Sequence, residues 1–344
     1  MLSFSERGNE RWKNRVEFMD AKKKIFADEI SVRSRWIKVP AIDLDNNRIV
    51  ITGKLLKIAK PKEEWCEDIK DPASTIIHLK EAQANADIFT FWQKLPETEP
   101  KFKYHHDWYS LAALPLISYD HWWKKQINSK TRNMVRKSEK KGIDVRLVDF
   151  DDIFVKGITE IFNETPVRQG YNFPHYGKTF ETVKSELFKD VHKKIFLGAY
   201  YGDELVGFSI LFDAGTFAVT NHFLCKIAHR DKATANGLMA KIVEVCGIRG
   251  IPYLVYGQWH ERSLGDFARH NGFEKIDLPK YYIPLTLKGK IALKLGIHQG
   301  LVLVIPKRLK LFLVELRRIW FLMPWYSKKI SPEDHNDRER NTTH

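Results

Sequence analysis

The sequence predicts an α+β protein built on a mixed sheet flanked by helices. Two observations carry this. From residue 119 onward the candidate elements follow the order β-α-α-β-β-β-α-β-α-β once a first basic helix has passed. Before residue 119, strand-like apolar runs alternate with proline-marked breaks, as in KPKEEW and LPETEP.

Taken in order, the first 44 residues are charged and read as a helical extension. An amphipathic helix is expected over 12–30, with Trp12, Val16 and Met19 on one face and lysines on the other. Residues 45–118 read as a smaller α+β lobe. Strands are expected at 48–52, 55–58, 84–92 and 108–117, with Pro115 marking a sheet edge or a bulge. Residues 119–286 read as the main domain. YDHWWKKQINSKTRNMVRKSEKKG reads as one continuous helix, with Trp123, Ile127, Thr131, Met134 and Ser138 as its core stripe and Gly142 as its C-terminal stop. A strand over 143–150 follows, then a helix opened by an Asp N-cap at DDIF, and a second helix near 180–188. KKIFLGAYY and ELVGFSILF are strands joined through Gly202-Asp203, a tight hairpin signal. A third strand, FAVTNHFLCKIA, leads to a helix with Ala235, Met239, Ile242, Val243 and Cys246 on one face. IPYLVYGQW is a buried strand, SLGDFARHNGF a short helix and FEKIDLPKYYIPLT a last strand. Residues 287–330 form a basic amphipathic segment in which Leu309, Phe312, Leu313, Leu316, Ile319, Trp320 and Met323 make the apolar stripe. Residues 331–344 read as a disordered tail.

Composition narrows the function. The chain has 344 residues, 43% hydrophobic and 29% charged, which excludes a disordered protein. Its net charge of +14 favours polyanionic partners: nucleic acid, nucleotide phosphates or an anionic membrane surface. Cys66, Cys225 and Cys246 are scattered, with no metal-ligand spacing, and fit reduced thiols. The N-terminus shows no apolar signal segment, and no run reaches the roughly 18 apolar residues that a spanning helix needs. The expected location is therefore cytoplasmic; the basic C-terminal segment reads either as a helix docked on the domain or as a peripheral membrane contact.

The order of three antiparallel strands, helix, strand, helix and strand resembles the core of the GNAT acyltransferases. The motifs WWKKQINSKTRNMVRKSEKKGIDV, ETPVRQGY, KKIFLGAYYGDELVGFSILF, ANGLMAKIVEVC, and SLGDFARHNGF followed by PKYYIPL resemble the Fem-type (FemAB) peptidyl transferases. The resemblance covers roughly residues 119–286, with a weaker echo over 45–118. It implies two GNAT-like lobes packed together. It also implies an activity: an amine attacks an activated carbonyl, drawn from aminoacyl-tRNA or from an acyl-coenzyme A, and an amide forms. Two residues depart from the pattern. The stretch HRDKATANGLM keeps only Gly237 of the glycine-rich pyrophosphate loop that ordinary GNAT proteins use for coenzyme A. Ala268 stands where the Fem pattern has a lysine thought to help stabilise the reacting carbonyl, leaving Arg269 or His270 to supply that charge.

The candidate catalytic residues are accordingly Arg269, His222 and Tyr256. Arg132, Asn133, Arg136 and Lys137 form a candidate phosphate or tRNA grip, Arg132 and Arg136 at the i,i+4 spacing of a two-guanidinium clamp; the alternative is a solvated helix flank. Arg168, Gln169 and Tyr176 are candidates for an acceptor-site loop, with His175 a possible base. Asn221 and His222 interrupt an apolar strand and would line the acyl cleft with Gly257 and Phe267, or else face outward; core packing is the alternative for Tyr256. The leading expectation is an acyltransferase joining an activated acyl or aminoacyl donor to an amine-bearing acceptor. Rivals are a coenzyme A-dependent N-acyltransferase on a small metabolite, and a catalytically inactive module that binds RNA or membrane. No metal is expected.

Overall fold

The structure is a computed structural model and describes residues 24–32, 35–44, 47–168, 170–261 and 264–299. It opens with two antiparallel strands, β1 (Phe26–Val32) and β2 (Arg35–Leu44), paired from Phe26 opposite Ala41 to Val32 opposite Arg35. The helix expected over 12–30 is corrected here. Residues 26–30 are extended, and 12–23 lie outside the described residues. FADEISV carries alternation as well as helical spacing, and the ladder to β2 is the tertiary contribution that decides between them.

Strands β3 (Asn47–Thr52) and β4 (Ile58–Pro61) continue the sheet. The sequence reading missed the next element, α1 (Pro72–Glu81). It is opened by Asp71, which accepts a hydrogen bond from the Ser74 amide at 3.0 Å, and it has proline in its first turn. Strands β5 (Ile88–Trp92) and β6 (His106–Pro115) follow. The reading of Pro115 as an edge or bulge is corrected: β6 is an interior strand between two partners, and Pro115 is its last residue.

The single helix expected over 119–142 is two pieces. A turn at Tyr119–His121 runs into a π-helical turn, Trp122–Gln126; Ile127 is then extended, and α2 (Ser129–Lys140) starts afresh. Asn128 caps α2 by accepting from the Thr131 amide at 2.9 Å. The break shifts the core stripe to Trp122, Ile127, Thr131, Val135 and Ser138, all buried, and leaves Trp123 and Met134 half-buried. Gly142 ends the segment at φ +78°, as the sequence indicated.

The remaining elements are β7 (Ile143–Leu147), α3 (Asp152–Phe162), the small hairpin of β8 (Val167–Arg168) and β9 (Tyr171–Asn172), and α4 (Phe180–Phe188). Then come β10 (Lys194–Tyr201), β11 (Glu204–Asp213), β12 (Ala218–Cys225), α5 (Thr234–Ile248), β13 (Tyr253–Gln258), α6 (Leu264–His270) and β14 (Glu274–Pro284). Asp151 caps α3 by accepting from the Phe154 amide at 2.7 Å, the N-cap that DDIF implied.

One twelve-stranded sheet contains all of these strands except β8 and β9, in the order β1-β2-β3-β4-β5-β14-β6-β13-β12-β11-β10-β7. Its pairs are antiparallel apart from β4 with β5 and β12 with β13. Each parallel pair is joined through a helix, α1 in the first half and α5 in the second. The chain thus repeats one GNAT-like arrangement twice, with no repeat in its sequence. The halves exchange strands at the centre, where β14 lies between β5 and β6, and β6 between β14 and β13. One face carries the core under α2, α5 and α6, including Trp122, Leu238, Met239 and Ile242. The opposite face carries the α3/α4 core around Phe154, Phe162 and Phe208, and a central core around Trp92, Phe217 and Val255.

Residues up to Leu285 form one compact unit, and those from Thr286 belong to another. Of the second, the structure describes α7 (Leu287–Lys294), capped by Thr286, and a short turn at Ile297–Gln299. The amphipathic stripe over 309–323 and the tail over 331–344 lie outside the described residues. Among the described residues no helix is long and apolar enough to cross a membrane.

Candidate functional site

The parallel strands β12 and β13 pair only at Ala218–Leu254 and Val219–Val255. Beyond that they part. β12 continues along β11 alone, with a bulge at Asn221, and β13 shifts register against β6 between Val255 and Gly257. An opening results in the middle of the sheet. Gly257 borders it at φ +141°, a conformation that favours glycine, and a Cβ built there would meet nothing within 4 Å. The sequence signal for this place was the polar pair Asn221-His222 inside an apolar strand.

The bulge sends the neighbouring side chains to opposite faces. On the α5 side, the Tyr256 ring packs against Phe223 (5.7 Å between centroids), Phe267 (5.9 Å) and Phe273 (5.6 Å). Burial pushes the Tyr256 phenol up to about 12, and the Cys225 thiol beside it is likewise pushed up to about 12 by burial. Both groups therefore stay protonated at neutral pH. Tyr256 and Phe267 therefore share the α5 side, while Gly257 and the exposed Asn221 follow the last paired residues of β13 and β12.

His222 is not gathered with Tyr256. It points to the α3 side, 6.2 Å from Phe162, 6.2 Å from Phe208 and 5.7 Å from His175 between ring centroids. Burial lowers its pKa to about 3, with the His175 ring adding to the effect, and Nδ1 is buried without a hydrogen-bond partner among the described residues. His175 stacks on Phe162 at 4.4 Å and is itself lowered to about 4, by burial and then by the nearby Lys178 ammonium. Two neutral imidazoles therefore share an aromatic enclosure.

Several candidates prove to be structurally engaged. Arg168 donates through Nη1 to the Cys225 carbonyl (3.0 Å), and through Nη2 to the Ile161 carbonyl (3.0 Å) and to Glu164 (2.8 Å). Glu164 in turn accepts from the Ile227 and Ala228 amides. The pair bolts the β8/β9 hairpin and α3 to the end of β12. Gln169 lies outside the described residues, and Tyr176 is an exposed loop residue. Arg269 pairs with Asp266 and donates to the His260 and Glu261 carbonyls at 3.3 and 3.1 Å, so its guanidinium closes the loop ahead of α6. Ala268 is 1% exposed and faces the core. Arg132 turns back to the π-helical break, donating to the Ile127 and Trp123 carbonyls, so it does not pair with Arg136 as a clamp. Asn133, Arg136 and Lys137 do lie together, in a groove of about 320 Å³ completed by Lys140 and Lys141.

A larger polar cleft of about 1300 Å³ lies elsewhere, between residues 43–75 and 189–214. It is lined by Arg48, Lys62, Asp68, Asp190 and Lys193 among others, and the sequence reading did not anticipate it. These residues come together only through tertiary structure, from surface positions that carry no pattern.

No family model and no curated protein matches this chain. Solved structures do match its fold. One is the C-terminal domain (DUF2156) of a protein named as a lysylphosphatidylglycerol synthetase of Agrobacterium fabrum, with a TM-score of 0.50 at 11% identity, covering 72% of this chain and 84% of that one. Others are L-PGS from Bacillus licheniformis, with 0.48 at 12% identity over 73% and 85%, and FemX, with 0.46 at 10% identity over 79% and 90%. At these identities the likeness is one of fold, and the Agrobacterium domain carries it. The chain has the fold of a two-lobed GNAT-like protein, with its sheet opening in the second lobe.

Proposed function

We propose that this protein is an acyltransferase that joins an activated acyl or aminoacyl group to an amine at the opening between β12 and β13. The single observation that carries the reading is the parting of these strands after Val219 and Val255, beside the unobstructed Gly257 backbone. An acyl chain laid in such an opening meets main-chain polar groups that the sheet leaves unpaired. The donor is an acyl-coenzyme A or an aminoacyl-tRNA, and the similar proteins named above suggest the aminoacyl type as readily as the first.

The chemistry asked of the site is modest. The amine nitrogen attacks the donor carbonyl carbon, a C–N bond forms, the bond to the leaving sulfur or oxygen breaks, and the proton that the amine nitrogen loses restores the phenol proton that Tyr256 gives to the leaving atom. Tyr256, with its phenol held protonated, is suited to donate a proton to the leaving atom and unsuited to act as a base. Phe223 and Phe267 flank it and limit water. The buried Ala268 and the engaged Arg269 supply no charge to the carbonyl, so stabilisation falls to main-chain amides near Asn221 and Gly257.

Ala268 also favours one alternative, a module of this fold that binds without catalysis. Incubation with labelled acyl-coenzyme A and labelled aminoacyl-tRNA in the presence of mixed amines separates the two. Consumption of either donor, reduced at least tenfold in Tyr256→Phe with donor affinity retained, supports acyl transfer. If neither donor is consumed, the binding module takes its place.

A further inference from the structure

The groove on the C-terminal half of α2 holds more positive charge than the fold requires. Arg136, Lys137, Lys140 and Lys141 line about 320 Å³ with Asn133, and among the described residues none of these four cations has a carboxylate partner. Arg136 is already oriented: its Nη1 donates to Asn133 Oδ1 at 3.1 Å, and its guanidinium lies 5.4 Å from the Trp123 ring centre. Lys140 and Lys141 gain something from the helix C-terminus, but that effect is confined to the last turn and does not extend to Arg136 and Lys137. Like charges this close repel one another unless an anion joins them.

A second set of contacts lies past the end of the groove. The segment after α2 ends against Tyr201, where a Cβ on Gly142 would lie 3.7 Å from the ring. Lys232 Nζ sits 4.8 Å from the centre of that ring and His229 5.6 Å from it, and Lys232 also pairs with Asp231 at 3.4 Å. Ser138 of α2 touches Gly237 in the first turn of α5. The cationic ledge is thus carried by α2, and the Tyr201 ring, 45% exposed, lies past its end against Gly142. The ledge is short. Asp203 and Asp231 are exposed within two residues of Tyr201 and Lys232, and would repel a long polyanion running past it.

We propose that this ledge is an anion subsite for the phosphate group of a compact, nucleotide-sized ligand, with Arg136, Lys137, Lys140 and Lys141 as its donors. The assignment of that ligand as the acyl donor rests on the acyl-transfer reading; the subsite itself does not. Guanidinium and ammonium donors around a concave surface match a phosphate dianion, and the small extent of the patch separates it from an RNA track.

Calorimetry at low salt tests it with adenosine 3′,5′-bisphosphate and inorganic pyrophosphate as probes. Arg136→Gln with Lys137→Gln, and separately Lys140→Gln with Lys141→Gln, should each weaken both probes at least tenfold, with the melting temperature unchanged or raised. Affinities within twofold of the parent protein, or no binding at millimolar probe, overturn the subsite. So does a loss confined to tRNA, or to vesicles carrying phosphatidylglycerol, with the small probes unaffected. Loss of probe binding in the variants of a protein that consumes no acyl donor upholds the subsite and sinks the donor assignment.

Discussion

Arg132 Nη1 donates to the Ile127 carbonyl at 2.6 Å, and the same nitrogen reaches the Trp123 carbonyl at 3.0 Å. This guanidinium therefore satisfies main-chain acceptors that the π-helical turn and the extended Ile127 leave without helical partners.

Arg132 and Arg136 should consequently behave differently although they sit one turn apart. Arg132→Ala removes charge-assisted bonds to two carbonyls and should cost about 1.5–3 kcal/mol. Arg136→Ala, at an exposed position, should stay within about 0.5 kcal/mol. Urea unfolding of both variants, compared at constant m, measures this. Equal midpoints would show that the Arg132 contacts contribute nothing to the break.

Gly237 and Ser138 set how closely α5 and α2 approach. A Cβ at Gly237 would stand 2.4 Å from Ser138 Oγ and 3.1 Å from its Cβ. Gly237→Ala should therefore destabilise by about 1–3 kcal/mol despite the better helix propensity of alanine. Adding Ser138→Gly makes room again. A double-mutant cycle should return a coupling of at least about 1 kcal/mol, and an additive result would rule out the steric account.

At Gly257 the constraint is conformational, since no atom opposes a side chain there. Gly257→Ala forces an L-residue to φ +141° and should lose about 1–3 kcal/mol in thermal or chemical unfolding. Its methyl also enters the opening, so turnover with whichever donor is used should fall further than the stability loss explains. A variant that is as stable and as active as the parent contradicts both points.

The His175–His222 pair predicts a pH dependence with a definite sign. Both are depressed in the folded protein, to about 4 and about 3, against about 6.5 when unfolded. The unfolded chain thus binds more protons than the folded one below pH 6.5. The stability present above pH 6.5 should be lost progressively as pH falls toward 4, by up to about 1.4 kcal/mol per pH unit for each histidine. Melting temperatures from pH 7.5 to 5 should show the decline. Replacing both residues with glutamine should flatten the curve in that window; an unchanged slope would place its origin elsewhere.

Much of the second lobe was legible in the sequence because its signals are local. The Asp151 cap, the Gly202-Asp203 hairpin and the Gly142 stop each depend on a few consecutive residues and each forms as read; of the face read on α5, Met239, Ile242, Val243 and Cys246 join the core, while Ala235 is half-buried. The polar pair Asn221-His222 coincides with the register shift in β12. What tertiary structure decided are the matters that depend on partners distant in sequence. Whether 26–30 is strand or helix turned on the ladder to β2. The interior position of β6 turned on β13 and β14, which lie more than a hundred residues later. The bulge at Asn221 placed His222 and Tyr256 on opposite faces, because side chains in a strand alternate and one extra residue reverses the alternation. Charge told the same two-sided story: the sequence showed that the 129–142 helix is basic, but only the carbonyls of the broken turn assigned Arg132 to structure and left Arg136, Lys137, Lys140 and Lys141 to face one groove.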